Sequence, residues 1–140
     1  MFSDPVMKNA FRVAVLAKAL AERIAGVLPS PMECWEDEGS LVFYDGRHAS
    51  AFGVPDEAYE TYGVLATAQQ LLDQLQDYVT IELRTPWPVD TVGQQGHPFC
   101  EIKGDVLDCG YRAADDWLVR LGPIRLDDLR GRSAEKASQQ

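Results

Sequence analysis

The sequence predicts an α+β domain: an antiparallel sheet with two packed helices, in the order α-β-β-β-α-β-β-β. Three observations carry this. Leu65, Ala68, Leu72, Leu75 and Val79 step by three and four residues, the period of a helix with one apolar face. Asp45-Gly46 and Gly104-Asp105 are two-residue turn signals set between short apolar runs. Three such runs follow each helix, so the chain reads as an α-β-β-β unit used twice, although the halves share no obvious sequence.

The first helix is expected to start at Asp4-Pro5, an N-cap residue before a proline at the first helical position. Val13, Leu16, Leu20, Ile24 and Val27 form its buried stripe, and Leu28-Pro29-Ser30-Pro31 ends it. Met32–Trp35 and Ser40–Tyr44 read as a hairpin across Glu36-Asp37-Glu38-Gly39. Asp45-Gly46 then returns the chain through 47–52 as a third strand, placing His48 opposite Phe43. Leu41-Val42-Phe43-Tyr44 is apolar on both faces, as expected of a central or doubly covered strand.

The second helix is expected from Pro55 to about Arg84, closed by Thr85-Pro86-Trp87-Pro88. Val64, Leu71, Tyr78 and Leu83 widen its stripe, and Asp56 and Glu57 suit the positive end of its dipole. Gln69, Gln70, Asp73, Gln74, Gln76 and Asp77 should be wet. Trp87 should fold back as a plug over the helix end. Residues 89–96 read as a polar surface loop.

The last hairpin has a derivable register. With Gly104-Asp105 as a type II′ loop, Lys103 pairs with Val106, Ile102 with Leu107, Glu101 with Asp108 and Cys100 with Cys109. Cys100, Ile102, Leu107 and Cys109 then share one face; a slip by one residue would mix charged and apolar side chains. Trp117–Leu121 is the final strand, broken by Gly122-Pro123 and resumed by Ile124 and Leu126. One domain is expected over 1–127. Residues 128–140 are small and charged and read as a disordered tail.

A chain of 140 residues can bury about 70% of its unfolded surface and needs no metal or disulfide to fold. The net charge of −9 and pI near 4.6 disfavour a nucleic-acid backbone or an anionic membrane and favour a basic protein partner. Lys8, Arg12 and Lys18 interrupt the apolar N-terminal stretch, which therefore lacks a signal-peptide core. No run is long enough to span a membrane, and three cysteines fit reduced thiols in the cytoplasm.

Leu75-Gln76-Asp77-Tyr78-Val79 followed by Thr85-Pro86-Trp87-Pro88 resembles small uncharacterised proteins of high-GC Gram-positive bacteria. In these a similar helix runs into a Pro-Trp-Pro segment, then a glycine-turned hairpin and a Leu-x-Pro-Ile-x-Leu stretch. The corresponding stretch here is Leu121-Gly122-Pro123-Ile124-Arg125-Leu126, with an added glycine. Leu20-Ala21-Glu22-Arg23 through Leu28-Pro29 is similar as well, so the resemblance covers most of 10–127. It implies no activity and no residue role. The element order is also similar to that of secretion-chaperone-like folds.

Chemistry-bearing residues are sparse. His97, Cys100 and Cys109 are the best metal candidates, with Asp108 on the other face of the derived hairpin; a structural zinc site takes four ligands, and here three are available. Buried free cysteines are the plainer reading of Cys100 and Cys109, with a cross-strand disulfide as the alternative. Glu36, Asp37 and Glu38, with Glu33, form an acidic hairpin tip that suits a solvated turn or a basic partner, and it lacks calcium-loop spacing. His48 has no serine or cysteine beside it in sequence. Phosphate-binding loops, nucleophile elbows and zinc-protease motifs are absent from the sequence. Trp35, Trp87 and Trp117 with Tyr44, Tyr59, Tyr62, Tyr78 and Tyr111 serve either core or binding, and two or more on one open face would indicate binding.

The expectation is a cytoplasmic, non-enzymatic acidic interaction module (adaptor, chaperone-like or accessory protein) that binds a protein or itself and needs no cofactor. Its candidate contacts are Glu36, Asp37, Glu38 and Trp87. The alternative is a small-molecule or metal-binding domain with a pocket near His97, Cys100 and Cys109.

Overall fold

The computed structural model describes residues 12–129, with the backbone alone at 57–62. Helix α1 spans Val13–Ile24, and strands β1 (Glu33–Asp37), β2 (Ser40–Tyr44) and β3 (Ala49–Phe52) follow. Helix α2 spans Asp56–Leu83. Strands β4 (His97–Lys103), β5 (Val106–Ala113), β6 (Asp116–Arg120) and β7 (Ile124–Arg125) complete the order, with a single 3₁₀ turn at Leu126–Leu129. The α+β class and element order are those the sequence predicts. The strands divide into two antiparallel sheets, β1-β2-β3 and β4-β5-β6, with β7 pairing to β5.

The expected start of the first helix, Asp4-Pro5, lies outside the described residues. Arg12 is extended, so α1 begins afresh at Val13. Val13, Leu16, Leu20 and Ile24 are buried as the stripe requires, whereas Val27 lies past the helix end and is exposed. The Val13 N–H donates to Asp56 Oδ1 at 3.3 Å. A carboxylate expected to serve its own helix thus also meets an orphan donor of the other one.

The first hairpin turns at Glu38-Gly39, both at positive φ, and pairs Asp37 with Ser40. This tighter turn lengthens β1 beyond the expected Trp35. The second connection is looser than a two-residue turn. Asp45 Oδ1 accepts the N–H groups of Arg47 and His48, both at 2.7 Å, and Tyr44 pairs with Ala49. Ser50, not His48, therefore lies opposite Phe43. These two hydrogen bonds, His48 first, hold the Asp45 carboxyl below its ordinary pKa.

Helix α2 is interrupted at Gly63 (φ 85°, ψ −179°), a conformation that glycine adopts without a Cβ penalty. Beyond it, Val64, Ala68, Leu71, Leu72, Leu75 and Val79 are buried, while Leu65 is exposed. Arg84 closes the helix in the left-handed conformation before Pro86. The helix serves both sheets. Tyr78 packs on Phe43 and Phe52 of the first (centroids 5.7 and 5.0 Å), and the Leu72 carbonyl accepts the Tyr111 hydroxyl of the second at 2.6 Å.

Gln76 corrects the expected wet face, for it is buried. Its Nε2 donates to the carbonyls of Trp87 (2.9 Å) and Gly96 (2.7 Å), clamping both ends of the loop to the helix. Trp87 is the expected plug, half-buried against the core with its ring edge-on to Tyr111 at 5.3 Å. Within the loop, Asp90 Oδ1 accepts the N–H groups of Val92 and Gln94 at 2.9 and 2.8 Å, an Asx turn.

The β4–β5 register is the derived one throughout, from Lys103–Val106 to Cys100–Cys109. At the C-terminal end Leu129 is buried, so ordered chain continues past the expected boundary at residue 127. The rest of the expected tail lies outside the described residues.

Gln76→Ala strips this donor from the buried Gly96 carbonyl and from the part-buried Trp87 carbonyl, which keeps Gln95 Nε2 at 3.4 Å, and is expected to lower unfolding free energy by about 2 kcal/mol. Asp73→Ala, on the exposed side of the same helix, should stay within about 0.5 kcal/mol. Urea denaturation of both variants checks the difference.

Candidate functional site

The structure separates the residues of the metal reading. In β4, His97 and Cys100 are three apart, which puts their side chains on opposite faces of the strand. Cys100 faces the core with Cys109, while His97 lies opposite Arg112 on the outer side. Among the described residues no group of three histidine, cysteine or acidic side chains is placed to hold a metal. His-x-x-Cys is a workable ligand spacing in a turn or helix and the wrong one in a strand. The three described concavities are lined by other residues.

All three cysteines are free thiols. The Cys109 side chain, by hydrogen bonding, and then burial push the Cys100 thiol well up. Burial alone pushes Cys34 up to about 12. Both shifts keep the thiols of Cys34 and Cys100 protonated at neutral pH.

The acidic tip is divided by role. Glu36 is half-buried and its Oε2 accepts the Gly39 N–H at 2.8 Å, bracing the turn. Asp37 and Glu38 are exposed. Trp87, a candidate contact in the sequence, is committed to the core instead.

Each sheet has one face away from the helices, and the two faces differ. On the second sheet, Phe99, Arg112, Trp117, Arg120 and Asp108 form a ladder. The Arg112 guanidinium lies 4.4 Å from the Phe99 ring centroid and 5.3 Å from that of Trp117, and Arg120 lies 5.7 Å from Trp117. Arg120 also donates to both carboxylate oxygens of Asp108, at 3.1 and 2.6 Å. The aromatics are thus covered by arginines, and one arginine is neutralised in place. A bulge makes this possible. Tyr111 pairs with Val119 but Arg112 with Trp117, so Leu118 is the extra residue and Trp117 emerges on the outer face. Gly110 seats the strand, since a Cβ there would collide with the Val119 carbonyl and crowd the Trp117 ring.

Among the described residues, no arginine lies over the aromatics of the first sheet. Its outer face carries Glu33, Trp35 and Asp37 on β1, Val42 and Tyr44 on β2, and Ala49 and Ala51 on β3. Trp35 lies directly across from Val42 and is 41% exposed. Its ring meets that of half-buried Tyr44 at 6.4 Å. Glu33 and Asp37 flank it along the strand, both exposed. Two of the aromatics singled out in the sequence, exposed Trp35 and half-buried Tyr44, thus share this face. The signal was strand parity: Trp35 and Tyr44 share a face once Asp37 pairs with Ser40.

Because the folded-state pKa of Cys34 lies above that of the free thiol, 9.0, the native state holds this proton more tightly. That stability is complete below pH 9.0 and falls as pH rises toward about 12. Tyr111, buried and likewise raised, titrates in the alkaline range too. Urea midpoints measured between about pH 8 and about pH 11 should therefore decline, with a shallower slope in Cys34→Ala.

No helix among the described residues is long and apolar enough to cross a membrane. No family model, curated protein or solved structure matches this chain.

Proposed function

We propose that the protein is a non-enzymatic interaction module, an adaptor, chaperone-like or accessory protein of the cytoplasm, and that it docks a protein partner on the outer face of its first sheet. The observation that carries this reading is Trp35: a large aromatic side chain held open over Val42 and beside Tyr44, on a face that none of the described helices covers. A rigid sheet presents it, so binding orders few side chains, and tryptophan and tyrosine are the residues that most often anchor interfaces. Glu33 and Asp37 give the face an acidic rim, which agrees with the chain's net charge of −9 and selects a basic partner. By the same charge argument, nucleic acid is not the partner.

Native mass spectrometry and crosslinking of protein from its own host, wild type against Trp35→Ala, test this reading. Trp35→Ala should keep the fold at a cost of about 1–2 kcal/mol, because the partly exposed ring still packs on Val42 and Tyr44. It should lower capture of the wild-type partner by about tenfold or more, as expected of an anchor. Equal capture by both proteins would sink the reading.

A further inference from the structure

We infer that the free edge of β1 accepts an extended, lysine- or arginine-bearing segment of a partner protein as an added strand. This rests on the interaction reading above and specifies its geometry. Among the described residues, β1 pairs with β2 alone. A groove of about 300 Å³ runs along the other side, walled by Ala21 and Glu22 of α1 and by Ala25 at its C-cap, and floored by Cys34–Glu36. The two alanines leave room where larger helix residues would close it.

The backbone of this edge is set for pairing. A two-residue turn makes Asp37–Ser40 a hydrogen-bonded pair, and such pairs alternate along an antiparallel ladder. Trp35–Val42 and Glu33–Tyr44 are then also bonded pairs, so Cys34 and Glu36 direct their N–H and C=O groups outward into the groove. No backbone hydrogen bond to another described residue takes up the N–H of either.

Other edges are better protected. On β4, Pro98 offers no N–H and its carbonyl accepts Gln69 Nε2 at 2.9 Å. β6 is bulged at Leu118, and β3 is only four residues long. β1 is five residues, uninterrupted by proline.

Charge decides the occupant. Glu22, Glu33, Glu36, Asp37 and Glu38 surround the edge. Among the described residues, Lys18 is the one cation lining the groove, and it is paired with Glu22 at 3.3 Å. A second copy of β1 added antiparallel would bring acidic strands side by side, which is repulsive. An alternating lysine–apolar strand would set its cations toward Glu33 and Asp37 and add its backbone bonds to Cys34 and Glu36. The Trp35 ring offers a further seat for a cation.

The test uses the full chain and three synthetic hexapeptides: alternating lysine–valine, alternating glutamate–valine, and lysine–valine with alternate backbone N-methylation. At near-saturating lysine peptide, amide exchange at Cys34 and Glu36 should slow by about tenfold. The glutamate and N-methylated peptides should not do this. Glu33→Lys combined with Asp37→Lys should weaken the lysine peptide by about tenfold, and raising salt to about 0.5 M should weaken it several-fold. Equal binding of the N-methylated peptide, or protection elsewhere than Cys34 and Glu36, would overturn the added strand and leave docking on the Trp35 face intact. Absence of lysine-peptide binding at millimolar concentration, with Trp35-dependent capture still present, would also overturn it. Loss of that capture defeats the parent reading instead.

Discussion

Neither sheet in this fold can bury its apolar face alone, and the shared burial of α2 between them is the constraint on which the rest depends. A three-stranded sheet and a small bulged one each need a cover. The buried arc Val64, Ala68, Leu71, Leu72, Leu75 and Val79 contributes to a single core with residues of both sheets. Tyr78 stacks on Phe52 of the first sheet, and the Leu72 carbonyl receives the Tyr111 hydroxyl of the second. The second contact joins elements 39 residues apart and satisfies a buried phenol that would otherwise be costly. Gln76 extends the same logic to the loop, where its amide holds two carbonyls that no strand reaches.

With both inner faces consumed by the core, function is left to the outer faces. The second sheet closes its own: Arg112 and Arg120 lie over Phe99 and Trp117, and Asp108 neutralises Arg120. Such a ladder protects aromatic surface from water while keeping the face polar. The first sheet leaves Trp35 open between two carboxylates and leaves the β1 edge unpaired beside small helix residues. This asymmetry between the faces is what the proposed docking surface rests on.

The buried thiols belong to the core rather than to any site. Cys100 and Cys109 face each other inside the second sheet, and Cys34 faces inward beneath Phe43. Burial keeps the Cys34 proton on, and the Cys109 hydrogen bond together with burial does so for Cys100. Protonated thiols of this kind pack as small hydrophobes.

Much of the fold was written in local pattern. The α1 stripe from Val13 to Ile24, α2 from Val64 to its end at Arg84 and the β4–β5 register follow from apolar period and turn chemistry, which act over a few residues, whereas the break at Gly63 was not expected. The acidic tip is also a matter of composition. What local pattern could not decide depends on contacts far apart in sequence. Gln76 looked wet because its neighbours Asp73 and Asp77 are, and only the returning loop buries it. Asp56 was legible as a helix-start residue but not as the acceptor for Val13, 43 residues away. His97 and Cys100 looked like ligand spacing until the strand set them on opposite faces. Trp117 reached the outer face through a bulge that the sequence does not mark. The sequence alone determined which segments are helix and strand, because periodicity is local. Tertiary structure alone decided which faces are covered and which are open, because coverage depends on the packing of distant elements, and with it that Trp35 stays exposed.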